Sequence, residues 1–118
     1  MTDQITFRPG LEGLMAALSV AEQVTAKSPV TPHGVAISKD HFDHVPGTDF
    51  ERPMGVLLHF YPGVEQVREF AEALGVEVAE RPHGDEDTYT YAEGVLNGVP
   101  FRAWTLVAAD EIASAVAA

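Results

Sequence analysis

The chain has 118 residues, no cysteine and a formal charge of −11. That length fits one domain spanning 1–118, and 46% hydrophobic with 21% charged residues reads as globular. Without cysteine there is no disulfide scaffold, no Cys-type zinc site and no thiol nucleophile. No apolar run reaches the roughly 18 residues of a membrane helix, and Met1–Phe7 lacks a signal peptide's basic start, so a soluble, cytoplasmic protein is expected.

Residues 10–26 read as the first helix. Leu11, Leu14, Met15, Leu18 and Thr25 recur at helical spacing, and Ala16, Ala17, Val20, Ala21 and Val24 widen the apolar face. Lys27 suits the helix end, and Pro29 and Pro32 keep the helix from continuing. Val35 and Ile37 alternate with Ala36 and Ser38, a short strand. Residues 39–53 form a long loop rich in acid, histidine and proline. Residues 54–61 are a strand apolar on both faces, expected to be central and covered on both sides.

A second helix spans 64–74, with Val64, Val67, Phe70, Ala71 and Leu74 inward, Gly63 as N-cap and Gly75 at the left-handed position past its end. Val76–Ala79 form a strand and Pro82–Asp87 an acidic loop. Thr88–Leu96 and Val99–Val107 flank Asn97-Gly98, a strong hairpin signal. A two-residue turn pairs Leu96 with Val99, Glu93 with Arg102, Tyr91 with Trp104 and Thr90 with Thr105. A last helix is expected over 109–117. The segment 54–81 reads as a β-α-β unit with parallel strands. The fold class is therefore α+β, a mixed sheet of four or five strands with a C-terminal β-hairpin and packed helices.

The acid is uneven. Residues 1–39 hold three acids and three bases, whereas residues 40–93 hold thirteen acids against Arg52, Arg68 and Arg81, a net of −10. Such a field disfavours direct nucleic-acid binding, which needs cations on the phosphates. It admits a basic protein partner. Glu65, Glu69 and Glu72 make an acidic stripe along the second helix, where Arg68 offsets like-charge repulsion. Such a row can imitate DNA phosphates, although a solvated helix face is the ordinary reading.

The Walker loop, GxGxxG, GxSxG and HExxH are all missing, so no catalytic residue or cofactor is assigned. His41 and His44 lie in Asp40-His41-Phe42-Asp43-His44. This tract resembles part of the HxHxDH signature of the metallo-β-lactamase family but lacks its first histidine, and no third or fourth ligand is evident. No metal is expected there. His59 and Tyr61, where a strand meets a helix start, are the residue types of a base and an acid, but a half-buried histidine in an apolar strand is the commoner outcome. Asp85 and Asp87 lack the distal glutamate spacing of a calcium loop.

The hairpin register sorts side chains onto two faces. Thr90, Ala92, Gly94, Leu96, Val99, Phe101, Ala103, Thr105 and Val107 share the one expected inside. Tyr89, Tyr91, Glu93, Arg102, Trp104 and Leu106 share the other, where Tyr89, Tyr91, Arg102 and Trp104 are of the residue types enriched at protein interfaces. Two occupants of that face are open, the first helix within the monomer or a partner protein, a second copy included. The stretch VEQVREFAEALGVEVAERPHGDEDTYTYAEGVLNGVPFRAWTLV, Val64–Val107, resembles small uncharacterised α+β proteins of high-GC actinobacteria and their phages. The resemblance rests on Leu74-Gly75-Val76-Glu77-Val78 and Gly98-Val99-Pro100-Phe101, and it implies shape and source but no activity. The expected function is a non-enzymatic binding or regulatory protein working through protein contacts. The rivals are a DNA mimic, or a small enzyme or metal-binding protein using His59 and Tyr61 or His41 and His44.

Overall fold

The computed structural model describes residues 4–43, 45, 51–61 and 63–108. Their order is α1 (Gly10–Lys27), β1 (Gly34–Ser38), β2 (Gly55–His59), α2 (Val64–Leu74), β3 (Val78–His83), β4 (Asp87–Leu96) and β5 (Val99–Ala108). The strands form one mixed sheet in the order β1-β2-β5-β4-β3. β2 and β5 are parallel, and every other neighbouring pair is antiparallel. The expected α+β class is therefore the observed one. β2 and β3 point the same way, as the β-α-β reading required, but β5 and β4 lie between them. The final helix expected over 109–117 lies outside the described residues, as does His44.

Local chemistry accounts for the best-defined elements. In α2 the Gly63 N–H donates to the Gln66 side chain at 3.0 Å, satisfying a donor at the helix start. At the other end Gly75 has φ 71°, the Gly75 N–H reaches the Glu72 carbonyl and the Val76 N–H reaches the Ala71 carbonyl. That pair of bonds is a Schellman ending, and it favours a residue without a Cβ at the left-handed position. Asn97 and Gly98 both have positive φ, the backbone of a type I′ turn whose twist suits a hairpin. Every expected pair of the β4–β5 hairpin is observed, from Leu96 with Val99 to Thr90 with Thr105.

Both helices lie on one side of the sheet. Ala17, Val20, Ala21 and Val24 of α1 and Val67, Phe70 and Ala71 of α2 join Val56, Leu58, Phe60, Ala92, Phe101 and Ala103 in a single core. Phe70 packs between Phe60, at 5.6 Å, and Phe101, at 6.0 Å. Thr90 and Thr105 are cross-strand neighbours on this face, fully buried, and their hydroxyls meet no acceptor among the described residues.

Three expectations are corrected. The large apolar residues of α1 do not face the core: Leu11 is 71%, Met15 57% and Leu18 47% exposed. The inward face is the small one, Gly13, Ala17, Val20, Ala21 and Val24, which lets the helix axis approach a sheet already filled by Phe60 and Leu58. The strand after α2 starts at Val78 rather than Val76 and does not stop at Ala79. It runs to His83 and pairs with β4 through His83 and Asp87, so the acidic loop shrinks to the turn at Gly84–Glu86. Finally, β2 is an inner strand, but among the described residues no helix covers its second face, where Leu57 and His59 are half-buried.

Candidate functional site

The sheet face turned away from the helices carries the aromatic residues. Strand register arranges them in rows. His59 of β2, Trp104 of β5 and Tyr91 of β4 form one row, and Leu57, Arg102 and Glu93 form the next. Leu106, Tyr89 and Arg81 form a third, reaching β3 at the sheet edge. The two strands that supply Tyr89, Tyr91, Arg102 and Trp104 are held in this register by the Asn97-Gly98 turn. Side chains on one face of a strand recur every second residue, so all four project together.

The rings contact one another along the sheet. His59 stacks on Trp104 with centroids 4.3 Å apart, and Trp104 stacks on Tyr89 at 5.9 Å. Tyr89 and Tyr91 lie 5.2 Å apart. Arg81 sits over Tyr89 at 4.9 Å and over Tyr91 at 5.4 Å, as a guanidinium does on the electron-rich face of a ring. Arg102 donates to the Glu93 carboxylate at 3.0 Å and lies over the rings of Phe42 at 5.2 Å and Tyr91 at 5.9 Å. Burial alone would lower the Arg102 pKa, but bonding and attraction to Glu93 outweigh it and hold the guanidinium above its ordinary value. The Arg102 Nε is buried and has no hydrogen-bond partner among the described residues.

One corner of this face is roofed. The segment after β1 folds back so that the buried Phe42 lies on Gly55, where a Cβ would collide with the ring. Arg52 secures that segment, donating to the Asp40 and Phe42 carbonyls at 3.1 and 3.3 Å. The remainder, centred on Trp104, Tyr89 and Tyr91, is covered by neither helix, and its rings are half-buried. Coverage by α1, one of the two occupants left open by the sequence, is therefore not what the fold does.

His59 belongs to this face. Burial, and then the nearby His33, lower its pKa below the ordinary histidine value. The His33 ring meets the His59 ring edge-on at 5.4 Å and the Tyr61 ring at 6.0 Å. Tyr61 is 69% exposed and lies just beyond the end of the strand. The fold thus gathers His33, His59 and Tyr61, ring against ring, at one end of the aromatic rows. His41 lies apart, its Nδ1 2.9 Å from the Ser38 hydroxyl. Among the described residues no group of three or more His, Asp or Glu side chains converges as metal ligands do. Glu65, Glu69 and Glu72 are exposed on α2, and Arg68 bridges to Glu65 at 3.1 Å.

Three members of the face escaped the sequence. Arg81 joins only because β3 continues beyond Ala79, where Glu80, Arg81 and Pro82 carry no strand pattern. Phe42 comes from the connection after β1, where no periodicity exists to orient a side chain. His59 had the right phase in its strand, but the parallel pairing of β2 with β5 that brings it onto Trp104 has no local signal. The chain matches no family model, no curated protein and no solved structure.

Proposed function

We propose that this protein is a small non-enzymatic binding or regulatory protein of the cytoplasm, and that it acts through protein contacts made by Tyr89, Tyr91, Arg102 and Trp104. One observation carries the reading: both described helices pack on the opposite side of the sheet, and neither covers the aromatic face. Tyr, Trp and Arg supply much of the binding energy at protein interfaces because each buries a large rigid area and keeps a polar handle. Here they are preorganised by stacking and by the Arg102–Glu93 ion pair, so little side-chain freedom remains to be lost on association. The resemblance of Val64–Val107 to actinobacterial and phage proteins favours a regulator encoded by a phage or mobile element.

The test is the double variant Tyr91→Ala with Arg102→Glu. Sedimentation across a concentration series, and capture of a partner from host extract, should both weaken while circular dichroism keeps the wild-type spectrum. A wild type that stays monomeric at high concentration and retains nothing from host extract would return the face to a purely structural role. A DNA-mimic reading draws on the exposed Glu65, Glu69 and Glu72. It would be favoured instead if capture were salt-sensitive and lost on changing those three to Gln but not in the double variant.

A further inference from the structure

We infer that the start of α1 and the segment after β1 enclose a binding site for a small organic phosphate. A cavity of about 500 Å³ opens there, a volume that suits a small-molecule ligand. Arg8, Lys39 and Arg52 line it, three of only seven cations in a chain of charge −11. Concentrating them has no counterpart elsewhere on the described surface, where Arg68 and Arg102 are each paired with a glutamate.

The three cations have charge to offer. Arg8 donates to the Asn97 carbonyl at 3.0 Å and Arg52 to two carbonyls, all neutral acceptors. Neither they nor Lys39 has a carboxylate within ion-pair distance among the described residues. Those hydrogen bonds fix the two guanidinium groups in place, so an incoming anion meets donors already oriented. Asp40 and Glu51 also border the cavity, leaving its described lining one positive charge in excess. That excess fits one anionic group rather than a chain of phosphates.

The backbone adds to the same place. Pro9 caps α1 without a side-chain hydrogen bond, so among the described residues the cap leaves the first N–H groups of an 18-residue helix free for a ligand. Gly10, where the helix begins, borders the cavity in a left-handed conformation, φ 61°, with open space where a Cβ would stand. Helix starts favour phosphate oxygens through these donors and the helix dipole. Phe7 and Met54, both half-buried, give the cavity an apolar wall for the organic part of the ligand. A guanidinium pair, an ammonium and a helix start suit three phosphate oxygens better than the two of a carboxylate.

Phenyl phosphate is the probe, titrated into uniformly labelled protein and followed by amide chemical shifts. Saturable shifts are expected at Gly10, Leu11, Lys39 and Arg52, with inorganic phosphate binding more weakly and phenol not at all. Lys39→Gln decides the matter, because the Lys39 side chain holds no described hydrogen bond whose loss would disturb the fold. It should weaken binding about tenfold, the loss of one charge-assisted hydrogen bond. Arg68→Gln, on the far helix, should leave affinity unchanged. Shifts that fail to saturate, that map to another face, or that persist unchanged in Lys39→Gln would overturn the site. None of these outcomes depends on whether the aromatic face binds a protein.

Discussion

Phe70 shows how much of the core depends on one side chain. It is fully buried, touches Phe60 from β2's end and Phe101 from β5, and so couples α2 to both halves of the sheet. Truncating it removes a large buried ring and leaves a cavity that neighbours fill only in part. Phe70→Ala should destabilise by about 3–5 kcal/mol, whereas Glu69→Ala, one residue earlier and exposed, should change stability by less than about 0.5 kcal/mol. Urea titrations of the two variants check the contrast, and equal losses would mean that the helix is turned the other way. Arg102 is the opposite kind of residue. Its guanidinium is held by Glu93 and two rings on a half-open face, so its value lies in being already placed rather than in sealing the core.

At the scale of elements, legibility tracked the locality of the signal. The helix Val64–Leu74 was readable residue by residue, because the apolar stripe, Gly63 and Gly75 all lie within or beside its own segment. The β4–β5 register was readable for the same reason: two residues, Asn97 and Gly98, fix every pair beyond them. α1 lies where its periodicity puts it, and Ala17, Val20, Ala21 and Val24 of the expected apolar face are inward, but Leu11, Met15 and Leu18 are not. Its apolar residues cover more than half the helix, and periodicity alone cannot decide whether the large or the small ones face inward. Distance to the sheet decides, and that distance is set by Phe60 and Leu58, remote in sequence. Changing Leu11, Met15 and Leu18 together to Gln should therefore cost little stability. Ala17→Leu should cost about 1–3 kcal/mol by overpacking a site with no room. Thermal melts of the two variants read this directly, and the reverse order of effects would mean that the leucines are the core face. The candidate face was half legible, since its β4 and β5 members share a local register while His59, Arg81 and Phe42 arrive through pairings and a loop that no short window reveals.

Across the whole molecule, pH links the aromatic face to the fold. His59 is stacked on Trp104 with His33 beside it, and its pKa is lowered in the folded state by burial first and His33 second. The unfolded chain thus takes up this proton more readily than the folded one. The contribution of His59 to stability is complete above the ordinary histidine value and is lost as pH falls from there through the lower folded value. Trp104 is the chain's single tryptophan, so its fluorescence reports on this stack alone. Its titration should show a transition below the ordinary histidine range that disappears in His59→Gln. A midpoint at or above that range would contradict the burial of the imidazole. The parallel seam between β2 and β5 carries a different consequence. It is the one join between the β1–β2 pair and the β3–β4–β5 meander within the sheet, and its two strands are far apart in the chain. On the ribosome, β2 must wait with one edge unpaired until β5 has left the exit tunnel. Of the described strands, the last made is thus the one that closes the sheet, and a chain stalled before Val99 would present an adhesive half-sheet to the protein-folding machinery of the cell.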